Sequence, residues 1–213
     1  MPDRRRAVHL DTGVATRQRI SPARIDLIRA AARREFAQHG FAGATMRDIA
    51  AQAGITISTL YFHCATKEQL LFDVLQDAIE RLSTGLDQTL EGAGPSQADR
   101  LAAAIRHHIL ACARQDFGAA VTANELRGLG SRLRRRYVAS RDRYEQRFRQ
   151  IVEAGIIDAE FEPVDVSVIV AGILGIGFNV SRWFKARGRL SAEQVADEYA
   201  RFVLRGLCKA YRG

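Results

Sequence analysis

His108 and Cys112, four residues apart, are the pair best spaced to hold a metal ion, because side chains at i and i+4 share one helix face. No third ligand follows at a recognisable spacing, and no metal or cofactor is expected. Asp73, Asp77 and Glu80 could pair as acid and base, but carboxylates in such a row read first as a solvated helix face. The glycines of GILGIG (Gly172, Gly175, Gly177) lack the order of a phosphate-binding loop and suit close helix–helix approach. There is no G-x-S-x-G, no H-E-x-x-H, no P-loop and no catalytic Cys–His pattern, so an enzyme finds no support. The run SRLRRRYVASRDRYEQRF sets Arg132, Arg134, Arg135, Arg136, Arg141, Arg143 and Arg147 along one helix. They form either an exposed face partly neutralised by Asp142 and Glu145, or a site in which one or two of them, Arg134 among the candidates, hold an anionic ligand together with Asn124 and Arg127. Guanidinium geometry matches carboxylate and phosphate, which is the reason for the second reading.

Charge points to a polyanion. The chain carries 32 Lys and Arg against 24 Asp and Glu, a formal charge of +8. Up to Glu68 there are eleven basic residues and six acidic ones, so most of the surplus lies in the first third. Cys64, Cys112 and Cys208 are far apart and form no C-x-x-C pair, as expected for free thiols in a reducing cytoplasm. Cys64 could sense redox state or be a buried apolar thiol. The charged N-terminus has no apolar core, so no signal peptide is expected there.

The elements that would present these groups begin with TMRDIAAQAGITISTLYFH, Thr45 to His63. Thr45 and Asp48 have capping-box spacing, Ile49, Ala50 and Ala53 form a small apolar face, and Gly54 supplies a positive-φ turn. Thr56 caps a second short helix with Leu60 as its core anchor, while Thr59, Tyr61 and His63 point elsewhere. Two short helices around a glycine turn make a helix-turn-helix, whose second helix enters the DNA major groove. Helix 1 must brace this pair. Ser21 and Pro22 start it, Ile28, Ala32 and Phe36 form its inner stripe, and Gly40 stops it.

From Arg24 to Leu71 the chain, RIDLIRAAARREFAQHGFAGATMRDIAAQAGITISTLYFHCATKEQLL, resembles the DNA-binding domain of TetR-type transcriptional regulators. The carrying motifs are the AA…F…HG end of helix 1, the T-x-x-D-I-A…A-G helix, the T-x-x-T-L-Y-x-H recognition helix and the K-E-x-L start of the fourth. Cys64 and Ile57 depart from the usual pattern, at a packing position and a reading position. The resemblance implies phosphate contacts at Thr56, Tyr61 and Lys67, with Arg47 close to the backbone. It places Ile57, Ser58, Thr59, Phe62 and His63 on or beside the face toward base edges, where Ile57 could meet a thymine methyl. Phe62 serves equally well as core.

Residues 1–20 form an arginine-rich arm, either a solvated tail or a groove-following segment through Arg4, Arg5, Arg6, Arg17 and Arg19. Residues 21–81 are the expected DNA-binding domain and 82–213 the effector-binding and dimerisation domain. Helix 4 opens at Thr66 with Gln69 in capping-box spacing and runs to about Leu90, long enough to couple the two. EGAGPS at 91–96 is the clearest linker. Further helices are predicted near 97–114, 118–128, 131–154, 163–186 and 192–209, an all-α chain of about nine helices.

VSVIVAGILGIGFNVSRWF, Val166 to Phe184, is long and apolar enough to raise a membrane span, which its serines, Asn179, Arg182 and glycines weaken. A helix apolar all round must be buried all round, and a subunit interface does this in a soluble protein. The interface candidates are Ile169, Ile173, Ile176 and Val180, with Phe202 on the last helix. The resemblance implies the same: TetR-type proteins dimerise through their last two long helices. Their dimers read palindromic DNA and release it when a small effector favours another spacing of the recognition helices. The ending from Trp183 to Leu207 is similar to members that answer to acyl-CoA thioesters; a hydrophobic drug-like or aromatic ligand is the alternative. An architectural DNA-binding protein is the other class, but about two-thirds of the chain lies outside the DNA-binding unit, more than such a module needs.

Overall fold

The computed structural model describes residues 21–114 and 125–208, and all regular elements there are helices. The expected N-terminal arm lies outside the described residues. So do 115–124, which hold Asn124 and most of the helix expected at 118–128; its end is a single 3-10 turn, Glu125–Gly128.

Helix α1, Pro22–Gly43, starts with proline in its first turn and breaks at Gly40 (φ 68°, ψ 169°), a backbone state that glycine tolerates best. Ile28, Ala32 and Phe36 are buried along its inner face. Helices α2, Met46–Gln52, and α3, Ile57–His63, are joined through Gly54 at φ 65°. Thr45 and Thr56 accept the Asp48 and Thr59 amides at 3.2 and 3.1 Å, so both helix starts are satisfied locally. Neither helix is longer than 7 residues, too short to persist alone; α2 is held by packing on α1, and α3 by packing on α2.

Helix α4, Lys67–Glu91, is continuous across the expected domain boundary and buries Leu70, Leu71, Val74 and Leu75. Thr66 caps it at 3.1 Å, and the Gln69 side chain donates to Asp73 at 2.8 Å instead of returning to the cap. Asp77 corrects the expectation of a solvated carboxylate row: it is buried and accepts from Arg29 at 2.9 Å, Arg33 at 3.4 Å and Arg81 at 2.9 Å. Two of these arginines belong to α1, so charge pairing as well as apolar packing holds α1 on α4.

Helices α5, Gln97–Ala113, α6, Ser131–Ile157, α7, Val166–Trp183, and α8, Ala192–Leu207, complete the chain. Helix α5 is central and touches α4, α6, α7 and α8. Gly155, expected to end α6, lies inside it, because the Phe161 ring occupies the space a side chain there would fill. Asp165 caps α7 after Pro163, accepting the Val168 amide at 3.1 Å, which moves its start to Val166. The full reciprocal capping box forms at Ser191 and Gln194 of α8.

Candidate DNA-binding face and effector cavity

Leu60 is the only residue of α3 that is fully buried, and it anchors the helix. The opposite face is left to solvent: Ile57, Ser58, Tyr61 and Phe62 are exposed, Thr59 and His63 half-buried. Phe62 is 61% exposed, which settles its two readings in favour of the surface. Thr56 and Arg47 are exposed beside it. Of the groups the recognition-helix reading named, Ile57, Ser58, Tyr61 and Phe62 share the exposed face of α3, and Lys67 is turned inward. The Lys67 ammonium donates inward to the carbonyls of Ala44 at 2.8 Å and Ala42 at 3.3 Å and lies 4.7 Å from the Phe41 ring centroid. An ammonium has three donors, so one remains for a phosphate.

Cys64 closes α3 from beneath. It is buried and donates to the Thr66 carbonyl at 3.2 Å, and burial raises its thiol to about 11. That is the chemistry of an inert packed thiol.

In the second half, a cavity of about 540 Å³ opens between helices. Leu75, Ala78, Ile79 and Leu82 of α4 form one wall, and Ala171, Leu174, Gly175 and Phe178 of α7 another. Leu126 of the 3-10 turn and Tyr137, Arg141, Tyr144 and Glu145 of α6 close it, with His108 and Cys112 at the base.

The base is a satisfied polar cluster. His108 Nε2 lies 3.2 Å from the Leu174 carbonyl, an acceptor, so that nitrogen carries the hydrogen, and Nδ1 then accepts from the Tyr144 hydroxyl at 3.1 Å. Burial lowers the imidazole to about 4, so it is neutral at physiological pH, and burial raises the Tyr144 hydroxyl well above its ordinary value. Gly177 lets α7 approach here, since a side chain there would strike the His108 ring and the Cys112 sulfur. The His108–Cys112 spacing thus reports helix packing around Gly177. Cys112 is pushed up to about 12 by burial.

The cation at this cavity is Arg141, which has no ion pair among the described residues; Glu145 beside it is held by Arg149. Arg127 and Arg134, the anion-binding candidates from sequence, are exposed and do not line the cavity. The signal that could have selected Arg141 is its position between Tyr137 and Tyr144, at i, i+4 and i+7 of one helix face. A larger cleft, about 990 Å³, lies between α4, α5 and α6; its Arg147 is already paired to Asp87 at 2.6 and 2.9 Å, while Arg100 and Arg143 line it without an ion pair among the described residues.

The interface candidates on α7 are corrected by its rotation. Ile173 and Val180 are buried within the chain, and Ile169 and Ile176 are half-buried against the same core. The apolar side chains left in solvent are Val168, Ala171, Phe178 and Trp183, with Gly172 and Gly175 between them and Ser167, Asn179 and Arg182 exposed as well. A helix apolar on all sides carries no phase in its sequence, so the choice of inward face fell to α5 and α6. Phe202 of α8 is 69% exposed. By length and composition α7 could cross a membrane, yet here it packs on α5 and α6 and walls the cavity.

The comparisons agree with this geometry. Residues 28–74 match the profile of bacterial regulatory proteins of the tetR family, and 94–207 match a tetracyclin repressor-like C-terminal domain. The HTH-type transcriptional repressor KstR2 of Mycolicibacterium smegmatis is 30% identical over 177 residues, covering 82% of this chain and 86% of that one. A regulatory protein of the tetR family from Rhodococcus superposes with a TM-score of 0.79 at 27% identity, over 87% of this chain and 97% of the other. AibR, solved in complex with isovaleryl coenzyme A and operator DNA, superposes at 0.76 with 27% identity, over 84% and 97%. These matches point to a regulator and not to an enzyme. The chain belongs to the tetR family of bacterial transcriptional regulators.

Proposed function

We propose that the chain is a homodimeric repressor that binds a palindromic operator through α3 and releases it when an acyl-CoA thioester enters the 540 Å³ cavity. The observation that carries this reading is α4, which starts at Lys67 beside the recognition helix and walls the cavity with Leu75, Ala78, Ile79 and Leu82. A ligand packed against that wall bears on a rigid rod whose other end adjoins the DNA-reading element, and coupling between the sites is reciprocal. The cavity's apolar walls suit an acyl group, and Arg141 suits the thioester's anionic part. The likeness to AibR supports the ligand class.

On this reading Thr56, Tyr61, Arg47 and the third Lys67 donor hold phosphates, while Ile57, Ser58, Thr59, Phe62 and His63 meet base edges. Val168 and Trp183, the exposed apolar residues of α7 that do not line the cavity, form with Phe202 of α8 the surface for a second copy, since such side chains are otherwise left in water. The division near residue 81 then falls within α4, which serves both parts. Such a dimer works in the cytoplasm, where its DNA is.

The test is selection of operator DNA from a random-sequence pool, then footprinting at fixed salt with and without a panel of acyl-CoA thioesters. A protected palindrome released by a thioester is the expected result. Specific protection that no thioester disturbs removes the ligand class, and binding with no sequence preference at any salt overturns the repressor reading.

A further inference from the structure

The 3-10 turn between α5 and α6 touches the cavity and the DNA-binding unit within five residues. Leu126 lines the cavity. Two residues on, Gly128 lies against Phe41 so closely that a methyl group there would sit 2.6 Å from the ring. Two further on, the Gly130 amide donates to the Glu68 carboxylate at 2.8 Å.

The two partners flank the helix-turn-helix. Phe41 stands just before it, in the segment whose Ala42 and Ala44 carbonyls receive Lys67, and Ala44 leads directly into the Thr45 cap of α2. Glu68 stands just after it, in the first turn of α4. Resting on the effector reading above, we propose that the Leu126–Gly130 turn is the coupling element: it grips both ends of the helix-turn-helix and moves when the cavity is filled. Phe41, Glu68 and Gly128 are then positioning residues that set the attitude of α3 without touching DNA or ligand.

Rigid geometry gives the argument its force. The turn is only a few residues long, Leu129 between its two contacts is buried, and the Leu129 amide is bonded back to the Leu126 carbonyl at 3.2 Å. Displacement of Leu126 by a ligand cannot be absorbed within the turn and passes to the ring on one side and the carboxylate on the other. Only glycine at 128 allows the ring its present place.

The experiment measures binding of the full chain to the selected operator, alone and with saturating isovaleryl coenzyme A, for wild type, G128A, E68A, E68Q and the double variant F41L/G128A. Circular dichroism melts and size-exclusion profiles confirm that each is folded. Without any ligand, G128A and E68A are expected to weaken operator binding about tenfold. E68Q, which keeps the acceptor, stays near wild type, and F41L/G128A, which makes room for the methyl, recovers most of the loss. G128A and E68A binding as wild type does, both alone and with the thioester, overturns the proposal. Wild type that the thioester fails to release, alongside the ligand-free losses and rescue, upholds the turn as the positioning element and sinks the effector reading instead.

Discussion

The recognition helix and the cavity do comparable work with opposite architectures. The proposed DNA-reading face is built from consecutive residues, Thr56 to His63, most of them exposed while one residue, Leu60, is fully buried. The cavity is assembled from α4, α5, α6, α7 and a 3-10 turn, and at its base His108 and Tyr144 are turned inward and hydrogen-bonded to each other. A surface that meets a regular polymer can be specified by a short local run, whereas a pocket must be composed by the whole bundle. Substitution should therefore separate stability from function cleanly in the first region and mix them in the second.

Leu60→Ala gives the largest expected effect, a loss of about 2–5 kcal/mol in denaturant unfolding, because it empties the one anchor of α3. Its neighbour Phe62→Ala should stay within about 0.5 kcal/mol of wild type in the same assay while operator binding falls. Equal losses from the two would break the contrast.

In the cavity, His108 ties stability to acidity. Burial holds its folded-state value at about 4, below the ordinary 6.5, so the unfolded chain takes up the proton first. Stability that is complete above pH 6.5 is lost as pH falls toward 4, and thermal melts of His108→Asn across that range should be flatter than wild type. Arg141→Ala should weaken binding of an acyl-CoA thioester about tenfold in calorimetry and leave ligand-free operator binding unchanged. Thr66→Ala, which removes the α4 cap bonded at 3.1 Å, should cost about 1 kcal/mol in unfolding, well below the Leu60→Ala loss.

The same contrast explains what could be foreseen. Capping threonines, the Gly54 turn, the Leu60 anchor and the Phe36 stripe are visible in sequence because each rule acts over a few residues. Long-range choices were not visible. Asp77 looks like a solvated carboxylate until α1 delivers Arg29 and Arg33 to it. Gly155 looks like a stop until Phe161 returns to fill its place. Arg141 lines the cavity and the candidates Arg127 and Arg134 do not, because only the packed bundle decides which side of α6 borders empty space. In α7 the apolar content was plain, but its rotation was not, so Ile173 and Val180 were expected at a surface they do not reach.

The buried thiols supply a built-in clock for each half of the molecule. Cys64 lies under the recognition helix and Cys112 under the cavity, and neither can react as a thiolate until the helices over it part. With the half-buried Cys208 replaced by serine, the rates at which a thiol reagent labels these two sulfurs time two separate opening motions in one chain. Operator DNA should slow the first clock and a cavity ligand the second. A ligand that slows the second while hastening the first would register the passage of its message as a difference between two rates.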